Sequence, residues 1–507
     1  MTLVFSFAGC GKNTSISSND TSTTEKVKEA TDNTEEEVTT EEEKQAEEIC
    51  LKVGNHYYGG DDAPYDDIYN YFDGSCDTIE MVENEDYNAL SVAIESFSKY
   101  NLKSFLNECN SMVESAREYY DPDDSYNTSS SMYEYIVPAR VDSKIVSLRL
   151  DTSSYGGGAH GYYATTGITF DSQTGKELTL KDLGNVTDEL EDYICNYIEK
   201  SEYKEAVYPE YKNTIHDDLN GDYNCWYLTG DKLVVIFNPY EIAAYASGQV
   251  RIDVPLAELK GMESKYIRGA SDIYEMGEGD LYKIGDNKIG VEIDYDDENY
   301  YIMTGKITVN GKKACDIVDG ESFYSYKHFH YKDANGVDYI VVTTTSDNDY
   351  RINELYKVEG DKVTRVDRIV GGGFTNINER SFNSVDRLDI LGTYSCDRRY
   401  KIANDKFTPI DEIYNIDEDT RYIEYRTITA KKDMKARLEE SGELKESTLK
   451  KGTKFYLIYT DAKSVVGFKT EDGVKGEFDI TVDSDGYTVK VNGEDQNDIF
   501  DDLPFAG

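Results

Sequence analysis

The amino-acid sequence predicts an α+β fold: an antiparallel sheet with helices on one face, then an all-β middle domain, then a small β-barrel. Three observations carry that expectation. Apolar residues recur at three- and four-residue intervals around 84–117 and again around 190–198. Elsewhere they alternate with polar residues in short runs rich in Tyr, Ile and Val. Turn dipeptides separate those runs, among them Asn310-Gly311, Asn335-Gly336 and Gly360-Asp361. The first spacing is that of an amphipathic helix, and the other two mark strands and hairpins. A chain of 507 residues exceeds one core, so about three domains are expected.

In chain order, Leu90, Ile94, Phe97, Leu102, Phe105, Cys109, Met112 and Ala116 place a first helix within 84–117. Strands follow at 133–139, 144–150 and 162–170, with a turn at 173–176 and a short arm at 177–180. A second helix carries Leu190, Tyr193, Ile194, Tyr197 and Ile198 on one face, with Asn185 or Thr187 as its cap. Strands at 226–228, 232–237 and 249–255 complete this part. Long helices with antiparallel strands read as one α+β domain over 77–261. Residues 273–416 are nearly all hairpins, a β-sandwich or an open, propeller-like meander. Residues 421–507 carry short strands at 423–429, 454–460, 464–470 and 476–482, joined by charged turns.

Charge and cysteine usage bound the function. Acidic residues number 100 against 53 basic ones, a formal net charge of -47. Nucleic acid is excluded as a partner class, because phosphate binding needs clustered Lys and Arg. A cationic protein partner is favoured by such a field, which also serves plain solubility. Tyr occurs 44 times and Trp once. Residues 1–10 read as a truncated lipoprotein signal. An apolar start too short to span a bilayer runs into Phe7-Ala8-Gly9-Cys10, which resembles a lipobox whose Cys10 takes the lipid. It departs from that pattern at Phe7 and in having no basic n-region. Residues 11–48 are Ser/Thr-rich and then Glu-rich, an acidic tether without apolar residues to bury. The seven further cysteines are widely spaced, with no C-x-x-C. They read mostly as small buried apolar residues, leaving room for one or two disulfides whose pairing the spacing does not fix.

The segment Tyr155-Gly-Gly-Gly-Ala-His160-Gly161 separates two strands. Glycines at that density permit positive φ and close approach of another backbone. Together with Ser147-Leu148, the 170–183 block, Trp226-Tyr-Leu-Thr229 and Phe237-Asn-Pro-Tyr240 through Gly248, it makes residues 77–261 resemble a bacterial extracytoplasmic domain pair. That pair comprises the domain of unknown function families 4163 and 3298. It is found in lysozyme-sensing anti-sigma factors and beside peptidoglycan deacetylases. The resemblance implies the fold and binding outside the membrane; it transfers neither anti-sigma nor deacetylase activity. More weakly, Ala430-Lys-Lys-Asp433, Lys451-Gly452 and Glu471-Asp-Gly473 resemble a bacterial SH3-like barrel.

Each chemical candidate has a plain structural reading beside it. His160 lacks a partner nucleophile or a second His, so a turn residue bonding the backbone is the simpler role. His328 and His330 point to one face of a strand and read as an exposed or half-buried pair rather than a metal site. The Asp333–Asp338 loop has the oxygen-rich character of calcium loops but lacks the terminal Glu and fits a hairpin turn. No catalytic constellation, metal or cofactor is implied. The candidate binding residues are Tyr155, His160, Tyr162, Tyr240 and Tyr245, with Pro239 ending its strand. The expectation is a non-enzymatic lipoprotein, anchored to the outer face of a bacterial cytoplasmic membrane. It would bind a secreted, cationic, lysozyme-like protein or a cell-wall component. The alternative is an envelope enzyme or accessory factor acting on peptidoglycan glycan.

Overall fold

The computed structural model describes residues 48–65, 67–120, 129–221, 225–267, 273–276, 281–295, 302–318, 325–345, 351–416, 423–483 and 488–505. Residues 1–10 with Cys10, and nearly all of the tether, lie outside them. Glu47–Gly507 form one compact unit, mixed α+β and mostly strand.

The first sheet contains five strands in sequence order: β1 (Leu51–Tyr57), β2 (Phe72–Met81), β3 (Ser130–Val141), β4 (Ile145–Tyr155) and β5 (Tyr162–Asp171). Helix α1 (Asn88–Tyr119) joins β2 to β3, and a helical crossover returns the chain in the same direction. β2 and β3 therefore pair in parallel over Phe72–Cys76, which corrects the expected all-antiparallel sheet. The sheet also begins well before residue 77. β1 and β2 have weak strand character in the sequence, because Gly54, Asn55, Asp73 and Gly74 interrupt the β-branched pattern. α1 buries Leu90, Ile94, Phe105, Cys109 and Val113 against the sheet, each worth about 1.5–3 kcal/mol for a large side chain.

A second, three-stranded sheet follows: β6 (Trp226–Leu228), β7 (Lys232–Phe237) and β8 (Val250–Pro255). It packs against α2 (Thr187–Ile198) and α3 (Tyr211–Asn220) through Leu190, Ile194, Ile198, Ile215, Leu219 and Val235. Neither expected residue caps α2: Val186 occupies the cap position, with no side-chain bond there. The capping box sits one turn of chain earlier, between Thr179 and Asp182 at the short helix Leu180–Leu183.

The two sheets meet at the edge strand β6. Ser147 Oγ accepts from Leu228 N at 2.9 Å and lies 2.7 Å from Thr169 Oγ1, both contacts buried. Beside them, a Cβ on Gly167 would lie 1.8 Å from Trp226 O. The small sheet thus covers its own edge by docking on β4 and β5.

The all-β half is a stack. A four-stranded meander (281–318) packs Ile289, Val291, Ile307 and Val309 against Ile340, Val342 and Ile352 of a second sheet, built from 325–370 with Tyr274–Met276. The opposite face of that second sheet packs Phe329, Val341 and Leu355 on Phe374, Phe382 and Tyr400 of a third. Asn310 (φ 52°) and Gly311 (φ 74°) both take positive φ, as a two-residue hairpin turn requires. Strand Tyr414–Ile416 then bonds on one side to Cys396–Asp397 and on the other to Tyr459–Thr460. Because of that splice, the C-terminal strands continue the third sheet. Among the described residues they form no closed barrel, contrary to the expected one. Residues Ile423–Arg426 form a short helix in place of the start of the expected 423–429 strand.

Of the described cysteines, Cys50, Cys76, Cys109, Cys225 and Cys396 are buried, Cys195 and Cys315 are half-buried, and all seven are free thiols. Burial pushes the Cys50 and Cys315 thiols up to about 11. His328 and His330 are both buried, not exposed or half-buried. The His330 ring bonds Asp338 at 2.9 Å and packs beside Tyr274 and Tyr282, whose rings also touch each other. Asp333 spends its carboxylate on the hairpin turn, accepting from Asn335 N and Val337 N at 2.9 and 2.8 Å.

Candidate functional site

Two segments build an exposed surface in the first half: the glycine loop between β4 and β5, and residues 238–249 between β7 and β8. The loop glycines divide their duties. Gly157 (φ 93°) and Gly158 (φ 99°) supply the left-handed conformation. Gly161 supplies close approach, since a Cβ there would lie 2.7 Å from Ser154 O. Tyr155 Oη donates to Gly158 O at 3.1 Å and closes the loop on itself.

The second segment is pinned from below. Ile242 and Ala243 are buried in the α2–α3 core, and Tyr208 N donates to Ile242 O at 2.8 Å. β7 ends at Phe237, before Pro239. Asn238 ties the segment to β5: its Oδ1 accepts from Thr165 N at 2.8 Å and its Nδ2 donates to Thr165 O at 3.2 Å. Gln249 Nε2 adds a bond to the same Oδ1 at 2.9 Å. These anchors turn Tyr240 and Tyr245 outward.

The rings converge there. His160 stacks on Tyr245, with centroids 3.9 Å apart and planes 20° apart. Tyr240 lies beside Tyr245 at 5.7 Å, and Tyr163 meets Tyr245 edge-on at 5.7 Å. His160 Nδ1 lies 2.9 Å from Gly161 O, which only accepts, so the proton sits on Nδ1. Nε2 then accepts from Tyr240 Oη at 3.4 Å. Tyr245 Oη donates to Gly161 O at 2.9 Å. Tyr240 is 55 % exposed and holds φ at 75°, a costly backbone conformation for a large side chain.

The structure thus brings His160, Tyr240 and Tyr245 into one cluster. Tyr155 supports its loop without joining the stack. Tyr162 is exposed beside it, and partial burial with the charge of Glu241 raises its hydroxyl pKa. Tyr163 is the member that the sequence reading missed. The alternation of β5 marks Tyr162 and Tyr163 as opposite-facing, but not which of them meets the 238–249 segment.

The cluster borders a cleft of about 360 Å³, lined by Tyr135, Arg149, Tyr163, Tyr227, Gln249 and Arg251 among others. Arg149 Nε donates to Asp151 at 2.9 Å and Arg251 Nε to Asp253 at 2.8 Å. Aromatic faces beside paired guanidinium groups suit a ligand with both flat and polar surfaces.

Asp218, on α3, also has a shifted pKa. Burial first, then the charges of Glu241 and Asp217, raise Asp218 from 3.8 to about 7. The unfolded chain loses that proton near 3.8 while the folded chain keeps it to about 7. Stability therefore falls as pH rises through that window and levels off above it. An Asp218→Asn chain is expected to melt higher than the parent at pH 8, with the difference vanishing near pH 4. Thermal melts across pH check this, and a difference independent of pH would show the assignment to be wrong.

Among the described residues, no group of three or more His, Cys, Asp or Glu side chains is placed to hold a metal. No helix of the described residues is long and apolar enough to cross a membrane.

Residues 180–257, which carry α2, α3 and all three strands of the second sheet, match the family described as "Protein of unknown function (DUF3298)". A solved DUF3298 family member from Bacteroides fragilis is 18% identical over 42% of this chain and 94% of its own, with a TM-score of 0.33. A second, from Pseudomonas aeruginosa, is 16% identical over 44% of this chain and 99% of its own, with a TM-score of 0.29. No curated protein matches the chain. The matched segment holds Tyr240 and Tyr245; His160 and the glycine loop precede it.

Proposed function

We propose that this chain is a non-enzymatic binding module, carried on a lipid anchor at Cys10 outside a bacterial cytoplasmic membrane. In this reading the cluster of His160, Tyr163, Tyr240 and Tyr245, with Tyr162 beside it, is where a secreted cationic protein docks. The observation that carries the reading is the exposed stack itself. His160, Tyr163 and Tyr240 all meet Tyr245, so four rings are in contact, and Tyr240 among them sits on a strained backbone. Rigid aromatic groups with polar tips are typical anchors of protein interfaces. A net charge of -47 would speed encounter with a cationic partner and make the affinity fall with salt.

A second reading, a cell-wall glycan ligand, is favoured by the adjoining cleft, where Tyr135, Tyr163 and Tyr227 lie near Arg149 and Arg251. Calorimetry of the purified chain against lysozyme and against soluble peptidoglycan fragments, at low salt, separates the two. Binding to neither removes the reason for both. The anchor is tested separately. Cys10→Ala is expected to move the protein from the membrane fraction to the soluble extracellular fraction. Retention in the membrane fraction would show that Cys10 is not the attachment point.

A further inference from the structure

β1 is a terminal strand: among the described residues, no strand pairs with its outer edge. Which main-chain groups face outward follows from its ladder with β2. Val82 N donates to Cys50 O and Tyr58 N to Gly74 O, both at 2.9 Å, and the register between them is unbroken. In an antiparallel pair, every second residue turns its N–H and C=O toward the partner strand. Here those are the even-numbered residues, so Leu51, Val53 and Asn55 turn theirs away from β2. Leu51 agrees with this parity. Its N–H donates to Asn378 Oδ1 at 2.9 Å, and its C=O accepts from Asn383 Nδ2 at 3.1 Å. One step earlier, Ile49 O accepts from Glu379 N at 3.2 Å.

Residues 378–383, a turn running into strand Phe382–Asp389, therefore imitate a β-partner for the start of this edge and then leave it. From Val53 to Asn55 the edge borders a cleft of about 670 Å³. The opposite wall is strand Gly372–Ile377, whose register with its neighbour breaks between Phe374 and Ile377. Thr375 and Asn376, which line the cleft, sit at that break. Two strand margins are thus clamped together at one end and separated at the other. The carboxylates lining the gap are Asp77, Glu80, Glu95 and Asp397, against two amines, Lys52 and Lys99. Both amines are already paired, Lys99 with Glu95 at 2.5 Å and Lys52 with Glu80 at 3.9 Å, and Asp77 accepts from Asn55 Nδ2 at 2.9 Å.

We propose that this cleft binds an extended, basic peptide segment of a partner protein, which adds to β1 as a further strand. The main-chain groups of Val53 and Asn55 supply the ladder, as in other strand-addition complexes. The acidic lining selects Lys or Arg side chains. Gly54, between them, leaves the wall free of a side chain. The site uses neither the aromatic cluster nor the anchor and does not depend on the function proposed for them.

The test uses the full chain and a fluorescein-labelled octapeptide of alternating Lys and Val, followed by anisotropy at low salt. Saturable binding that weakens with salt is expected. The same peptide N-methylated at alternate amides, on the edge that would face β1, should lose it. Asn55→Ala keeps the outward N–H but loses the side-chain bond to Asp77 at 2.9 Å, so it is the reference for the loss of the side chain alone. Asn55→Pro removes that N–H without touching the ladder to β2 and should bind about three- to tenfold more weakly than Asn55→Ala, the worth of one hydrogen bond. The proposal is overturned if no binding occurs up to about 1 mM peptide. It is equally overturned if the N-methylated peptide binds as well as the parent peptide, or if Asn55→Ala and Asn55→Pro behave alike. The N-methylated peptide leaves the protein unchanged, so its result stands even if Asn55→Pro folds poorly.

Discussion

A Gly167→Ala chain is expected to lose roughly 3 kcal/mol or more of stability, at the upper end of what one added methyl group costs in a packed interior. The cause is the contact between the two N-terminal sheets. The new Cβ would lie 1.8 Å from Trp226 O and 2.5 Å from Trp226 C. Both atoms are backbone, so no rotamer change relieves the clash. β6 would have to lift off β5, and the buried bond from Leu228 N to Ser147 Oγ would stretch with it. An orphaned buried N–H adds a further 1–3 kcal/mol or so. Gly156→Ala is the control, because a Cβ there meets nothing within 4 Å. Urea denaturation should show Gly156→Ala within about 0.5 kcal/mol of the parent and Gly167→Ala far below it. Equal midpoints for the two variants would mean that the sheets do not meet as described.

That contact also shows where the sequence stops being legible. Both long helices and strands β3 to β8 announce themselves by period, because each presents one apolar face to a core. Gly167 reads only as a weak point in a strand, since its reason is a backbone from a different sheet. β1 and β2 were invisible for a related cause. Their stability comes from neighbours and from residues 378–383, over 300 residues away in sequence, and not from their own β-propensity. In the C-terminal part, the hairpin Met434–Glu440 with Glu443–Leu449 went unseen because its Lys-, Glu- and Leu-rich sequence suits a helix. The turn between the strands was the available clue: Ser441 (φ 57°) and Gly442 (φ 82°) form a two-residue link. The expected barrel failed to close for a topological reason. Strand Tyr414–Ile416 occupies the edge at Tyr459–Thr460 and hands it to the preceding sheet, and no local pattern encodes that splice.

The candidate site was legible in part, and the reason is instructive. Tyr and His residues flanking glycine and proline turns are visible as exposed, orientable groups. Their convergence depends on Asn238 and Gln249, which tie the later segment to Thr165 over a gap of 73 residues for the first of these bonds. The buried pair Ile242–Ala243 does the same from the core side. Such polar crosslinks leave no periodic trace in a sequence, so the cluster could be named but not assembled.

Assembly is what makes Tyr245→Ala the variant with the largest expected effect on binding. Tyr245 is the hub: His160 stacks on one face, Tyr163 and Tyr240 abut it, and its hydroxyl bonds Gly161 O. Removing the ring releases the glycine loop and unseats the two exposed partners together. For a ligand held on this platform, binding should weaken about 30-fold, the 2 kcal/mol typical of an interface anchor. Tyr245→Phe keeps the stack and forfeits one hydrogen bond, so a loss of about tenfold or less is expected. His160→Ala and Tyr245→Ala act through one contact, and the double variant should be no worse than the poorer single one by more than a few tenths of a kcal/mol. Calorimetry with the ligand that binds the parent chain, lysozyme or a peptidoglycan fragment, reads all four. Binding by Tyr245→Ala at parental strength would detach the function from this surface while leaving a binding module in place. Absence of binding by the parent to either class would instead remove the proposed function itself. Additive losses in the double variant would show that His160 and Tyr245 meet the ligand separately, and that their stacking is incidental.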